Sequence, residues 1–273
     1  MSKLRELGVH LVLWVAVLAA LYPVLWVVMQ ALSGGGAPEA RILPWPSSPS
    51  LEHFEAVVLT ARFGLQLLNS IVVSLATALV AIAIATPAAY ALSRFEFVGA
   101  RSATRTLLAT QMFPGVAASI PLYLLLDAAD LLDTRTGLVL VYATSAVPFA
   151  IFQLRGAFDA IPRDLEEAAM VDGATRFGAF WRVVLPTVRP ALAVTALFAF
   201  MTAWNEFILA ATFLTSEELY TLPILLNEYA SEHDSTIGHF AAGAIVESIP
   251  GMALFYALQK QLVGGLTSGG VKG

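Results

Sequence analysis

Six long runs with almost no charge limit this chain more than any other feature. Neither His10–Leu32 nor Leu67–Leu92 contains an Asp, Glu, Lys or Arg. Each exceeds the roughly 20 residues that a helix needs to cross a hydrocarbon core of about 30 Å. Four further runs follow, at 106–126, 137–154, 190–214 and 240–258. Pro114, Pro121 and Pro148 interrupt the third and fourth, which is tolerated at membrane depth where neighbouring helices satisfy the freed backbone groups. The chain has 58% hydrophobic and 13% charged residues, against about 45–50% and 25% in soluble domains. A disordered chain and a soluble enzyme are excluded. A net charge of −5 argues against nucleic acid as a partner, and the absence of cysteine removes disulfides and thiol chemistry. Lys3 and Arg5 precede the first run, but that run outlasts the roughly 7–15 residues of a signal-peptide core. It reads as a retained span. The expected fold is all-α and polytopic, residues 1–273 forming a single transmembrane domain with six spans.

Loop charge sets the orientation. With six spans the termini share a side. Twelve of the fifteen Lys and Arg fall in the N-terminal tail, the loops after the second and fourth spans, and the C-terminal tail, leaving Arg41, Arg62 and Arg135 opposite. The positive-inside rule puts both termini in the cytoplasm.

One cytoplasmic connection, residues 155–189, is far longer than the roughly 2–8 residues joining packed helices. Asp164 is placed to cap a short helix with Glu167 at its third position, a variant capping box. Glu166 and Glu167 suit the positive end of the helix dipole. Gly173 is placed to end the helix in a left-handed turn. A second helical run starts near Thr175 and is expected to stop at Pro186. By pattern alone this is a helix-turn-helix under the membrane or a solvated amphipathic hairpin.

Glu167-Ala168-Ala169, three residues, Gly173, nine residues, Val183, one residue and Leu185-Pro186 resemble the E-A-A-x3-G-x9-I-x-L-P signature of bacterial ABC importer permeases, with Val183 in place of Ile. Gln111-Met112-Phe113-Pro114, Tyr220-Thr221-Leu222, the stretch Phe240 to Ala244 and the tail Gly265 to Gly273 are similar to the smaller, six-span maltose-type sugar permease. The resemblance covers nearly the whole chain and is weakest over residues 33–64. It implies a type I importer permease fold in the bacterial inner membrane, with a coupling helix that docks on a cytoplasmic ATPase through Glu166, Glu167, Ala168, Ala169, Asp172, Gly173, Leu185 and Pro186. It implies a second, larger permease, a dimer of ATPases carrying ATP and Mg, and an extracytoplasmic sugar-binding protein. The implied cargo is maltose, maltodextrin or a related glucoside, with trehalose and sucrose as alternatives. The residues Gly269, Gly270, Val271 and Lys272 inherit a tail contact between the two ATPases. Composition alone would make that tail flexible.

The chain has no G-x-x-x-x-G-K-[ST] phosphate loop, H-E-x-x-H pair or G-x-S-x-G elbow, so it has no Walker site, no zinc-protease pair and no hydrolase nucleophile of those kinds. Glu206 and Glu247 fall within spans, where a charge costs at least about 2.5–3.5 kcal/mol on insertion scales. With Asn205, Gln111 and Asn69 they are candidates either to line a translocation pathway or to bond a neighbouring helix. An ion-coupled carrier would use the two acids as a proton relay, but would leave the Glu167–Pro186 spacing without a purpose. The outer segment 215–239 carries five acids and no Lys or Arg and reads as a partner-facing loop. Residues 33–64 read as irregular, and Pro250-Gly251 as a kink.

Overall fold

The computed structural model describes residues 3–34, 45–46, 48–112, 115–231 and 237–270, apart from the side chains of 3–4, 61 and 262–270. Among the described residues the regular structure is helical, with an isolated antiparallel bridge between Ser33 and Pro49.

The first span is α1 (Lys3–Ala31), apolar on all sides and exposed from Arg5 to Leu25, with only its last residues buried. That is the pattern of a helix surrounded by lipid or by other spans. The segment read as irregular contains α2 (Glu52–Val58). Next, α3 (Ala61–Arg94) runs unbroken through Pro87. The third apolar run is not one helix. It is split into α4 (Ala100–Gln111), a short 3-10 turn (Gly115–Ala118) and α5 (Ser119–Ala128), the pieces inclined at 100°. Sequence accounts for the break, since Pro114 lacks a donor and Gly115 tolerates unusual dihedrals. No residue of α4 is buried.

The fourth span, α6 (Arg135–Asp159), is capped by Thr134, whose side chain accepts from the Gly137 amide at 3.0 Å. Gly137 sits so close to the Leu131 carbonyl that a Cβ would collide with it. The cytoplasmic loop forms α7 (Asp164–Val171), then α8 (Arg176–Ala179), a π turn (Phe180–Val184) and α9 (Leu185–Thr187). The second run of this loop therefore ends one residue beyond Pro186, where a 72° bend leads into α10 (Arg189–Trp204). The π turn ends two residues before Pro186, whose missing amide and ring a regular α-turn accommodates poorly.

The fifth apolar run is also broken: α10 stops at Trp204 and α11 spans Ile208–Phe213. A 3-10 turn (Glu217–Leu219) and α12 (Leu222–Ser231) occupy the acidic outer segment. The sixth span, α13 (Ile237–Gly270), does not end near Leu258 but continues through Gly270. No proline follows Pro250, and residues 257–262 are good helix formers. By length and hydropathy α1, α3, α6 and α13 can cross a membrane, and the count becomes six if each bent pair is one span.

The chain divides into two compact units, one of residues 1–67 with 224–249 and the other of 68–223 with 250–273. In the first, Ala31, Ala241 and Ala242 form a small buried cluster with Val27, Phe54 and Ile245 against it. The His53 and His239 rings meet edge to face at 5.0 Å, and Arg62 pairs with Glu228 at 3.5 Å. In the second unit, Ala85, Ala89 and Tyr90 of α3 pack with Ile151, Leu154 and Phe158 of α6 and with Phe180 and Val184 of the π turn.

Candidate coupling and translocation sites

The short helix α7 starts without the side-chain cap that its sequence suggests. Asp164 is its first helical residue, Arg163 holds the capping position with helical dihedrals, and no side chain caps the helix. The Glu166 and Glu167 amides go instead to the Arg163 carbonyl, at 2.9 and 3.1 Å. Its end follows the expected chemistry. Gly173 has φ +92°, its amide donates to Met170 O at 3.1 Å, and the Ala174 amide reaches back to Ala169 O at 3.0 Å. That pair of bonds is the Schellman stop. Thr175 then caps α8 by accepting from the Gly178 amide at 3.1 Å.

The two glutamates of the signature take opposite directions. Glu167 is exposed, as are Ala168, Asp172 and Gly173. Glu166 is only 7% exposed and turns inward, where Tyr90 Oη donates to its Oε2 at 2.9 Å and Arg94 Nε pairs with its Oε1. Arg94 is held further, with Nη2 on the Ile161 carbonyl at 3.0 Å and Nη1 on Ser93 Oγ at 3.2 Å. A buried pair satisfied on both sides avoids the penalty of an uncompensated charge. The clasp ties the first turn of α7 to the last turns of α3.

Aromatic packing seats the rest of the loop. The Tyr90 ring lies 4.6 Å from Phe180 and 5.7 Å from Phe158. Such pairs contribute about 0.5–1.5 kcal/mol beyond the area they bury. Arg176 lies over the Phe95 ring at 5.2 Å. Leu185 and Pro186 are half-buried, so they seat the loop rather than face outward. Left exposed are Val171 at 88%, Phe177 at 71% and Trp181 at 53%. Sequence reasoning passed over these three because an apolar residue in a helical pattern reads equally as core.

A second site lies where α10 gives way to α11. The Glu206 carboxylate accepts the Leu209 amide at 2.9 and 3.1 Å, the Ala210 amide at 3.1 Å and Tyr142 Oη at 2.9 Å. It satisfies the first amides of α11 after a break in a membrane span, where freed backbone groups need a partner from the protein or from a water-filled cavity. The same break opens a cavity of about 650 Å³ lined by Phe198, Met201, Thr202, Asn205, Glu206 and Phe207 among others. Asn205 is exposed and donates to Met201 O at 2.8 Å. The hollow is open and mostly apolar, with a few polar groups.

The remaining pathway candidates are not gathered there. Asn69, fully buried, donates to the Glu218 and Tyr220 carbonyls at 2.8 and 2.9 Å. It fastens the outer segment, as does Ser70, whose Oγ accepts from the Leu222 amide at 2.8 Å. Gln111 is exposed and reaches Ser145 O at 3.3 Å. Glu247 is half-buried, with no hydrogen bond to its carboxyl among the described residues. In the tail, Gly269 and Gly270 are the last residues of α13, while Val271 and Lys272 lie outside the described residues.

Outside the spans, Asp133 pins α11's end. Its carboxylate accepts the Thr215 and Ser216 amides at 2.8 and 3.0 Å, and Ser216 Oγ. Partial burial raises the Asp133 pKa, but the hydrogen bonds from Ser216 and Thr215 outweigh it and hold the group at about 2.

Residues 81–267 match the family described as binding-protein-dependent transport system inner membrane component. The chain is 36% identical over 257 residues to the trehalose transport system permease protein SugB of Mycobacterium tuberculosis (strain CDC 1551 / Oshkosh), covering 93% of each chain. It is 33% identical over 271 residues to the maltodextrin transport system permease protein MdxG of Bacillus subtilis (strain 168), covering 99% of this chain and 97% of that one. A crystal structure of a bacterial ABC transporter involved in the import of the acidic polysaccharide alginate contains a chain that overlays it with a TM-score of 0.81 and 26% identity, covering 95% and 98%. The chain therefore belongs to the inner membrane components of binding-protein-dependent transport systems, the permease subunits of ABC importers, which carry no ATPase site of their own.

Proposed function

We propose that this permease imports an oligosaccharide of the maltodextrin or trehalose class, driven by ATP and Mg on a pair of cytoplasmic ATPases that grip α7. Supporting the sugar class are the trehalose and maltodextrin systems of its relatives. The cavity at the α10–α11 break suits it chemically, since Phe198 and Phe207 offer aromatic faces to the C–H faces of a pyranose and Asn205 offers a polar group to its hydroxyls. Both termini lie in the cytoplasm, following the distribution of Lys and Arg. A larger permease subunit completes the pathway. A sugar-binding protein delivers cargo on the opposite face, where the outer segment presents Glu217 and Glu218, both exposed.

The coupling role rests on one observation above all: α7 is clasped to α3 through Glu166 while Glu167, Ala168, Val171 and Asp172 stay exposed. A helix held on one side and open on the other transmits a push as a rigid lever. Closure of the ATPases would displace α7, and the clasp and the Tyr90–Phe158–Phe180 packing would carry that displacement into α3 and α6. Leu209, Ala210 and Tyr142 hold the break beside the cavity in shape during that motion.

The chain has no cysteine, so Val171→Cys gives it a single thiol through which it can be cross-linked in the assembled transporter. A maleimide-benzophenone photo-cross-linker, which needs a thiol on this chain only, should join it to an ATPase subunit, and the yield should change when ATP and Mg close the ATPases. Cross-linking to the binding protein, or to nothing, would refute the coupling role. Uptake into liposomes with maltodextrin or trehalose and the matching binding protein tests the cargo separately.

A further inference from the structure

At the end of α3 and α6 from which α7 projects, a cavity of about 260 Å³ opens beside the start of α4. Its lining is Leu92, Ala100, Arg101, Thr104, Arg105 and Arg155. Three guanidinium groups around one small space repel each other unless an anion sits among them. Arg155 Nη1 donates to Thr104 Oγ1 at 2.9 Å, and its Nε lies 3.6 Å from Asp159 Oδ2, with no hydrogen bond of its own. Asp159 is shared, because it also accepts from Ser93 Oγ at 2.5 Å. Arg101 and Arg105 stand one turn apart on α4. Both are exposed, and their guanidinium groups have no ion pair or hydrogen bond among the described residues. Among the described residues, Arg155 alone of the three arginines has a carboxylate within 4 Å.

We propose that this cavity binds the phosphate of an anionic lipid in the cytoplasmic leaflet. Planar guanidinium forks match phosphate oxygens in pairs, and basic pockets between spans on the cytoplasmic side suit anionic headgroups. The volume falls below the roughly 300–1,000 Å³ of sites that enclose a whole small molecule, which fits a headgroup whose tails remain outside. Leu92 supplies an apolar wall, and Leu108 on the following turn of α4 is 44% exposed. α4 itself carries no buried residue, so lipid contact leaves none of its packing disturbed. The side of the membrane rests on the orientation proposed above. With a lipid bound there, α4 is tied to α6 at the end of the molecule that α7 moves.

The test uses the assembled transporter in phosphatidylcholine nanodiscs with a minor fraction of phosphatidylglycerol, counting retained lipid by native mass spectrometry after release into detergent. Arg101→Gln and Arg105→Gln should each weaken phosphatidylglycerol retention about fivefold, the double variant should lose nearly all of it, and Arg105→Lys, which keeps the charge but not the fork, should fall between wild type and Arg105→Gln. Wild-type retention in the double variant would overturn the proposal. So would displacement of the lipid by millimolar inorganic phosphate, which would make the occupant a free anion. Loss of ATPase from the variant complex with lipid retention intact would assign the arginines to a protein contact and overturn it too. Because ATPase assembly is scored separately, a failure of lipid binding is distinguishable from a failure of the permease reading.

Discussion

Glu166→Gln preserves the shape of a side chain that is 10% exposed while removing its charge. Arg94, whose side chain is 7% exposed, would keep its bonds to Ile161 O and Ser93 Oγ but face a neutral amide. Removing one partner of a buried ion pair costs about 3–5 kcal/mol. The surviving bonds, and an amide oxygen that still accepts from Tyr90, place this case near 3 kcal/mol. The loss is local to the α7 clasp. At about 1.4 kcal/mol per decade, α7 amides should exchange with solvent about a hundredfold faster in the assembled transporter. Sugar carried per ATP hydrolysed should fall, while insertion and subunit assembly persist. Glu166→Leu with Arg94→Met removes both charges and should recover much of the protection, since apolar replacement of a whole buried pair is often nearly neutral. Unchanged α7 exchange in Glu166→Gln, or two losses that simply add in the double variant, would refute the clasp.

Gly173→Val forces a β-branched residue to φ +92° and should cost about 1–3 kcal/mol; ATPase activity should persist with uptake uncoupled, measured in proteoliposomes. Asn69→Ala deletes two bonds to the outer segment, worth about 0.5–1.5 kcal/mol each, and should speed proteolysis at 216–221. Asp133 sits at about 2, below its ordinary 3.8, so its contribution is present above about pH 4 and lost as pH falls toward 2. Asp133→Asn should therefore lower the unfolding temperature at pH 7, and the difference from wild type should shrink as pH falls below about 4 and be lost below about 2.

The Glu167–Pro186 signature was readable because it is local. A left-handed glycine and a helix two turns long depend on neighbours in the chain, and Gly173 takes the dihedral its position requires. The capping of α7 by Asp164 failed for a related reason: Arg163 adopted helical dihedrals, so the helix began with its backbone alone. Glu206 and Glu247 look alike in sequence, each a lone acid in an apolar run. They separate only in three dimensions, because Tyr142 and the first amides of α11 converge on Glu206 alone.

Hydropathy and the placement of arginine determined by themselves that this chain is helical and membrane-crossing, and which end of it is basic. Lipid permits no unsatisfied backbone, and charge is costly to move across it, so both facts are written residue by residue. Tertiary structure alone decided that Glu166 turns inward while Glu167 faces out, that Asn69 fastens a loop instead of lining a path, and that Arg101, Arg105 and Arg155 share one cavity. Those outcomes depend on groups up to 151 residues apart, whose meeting is set by how the helices pack.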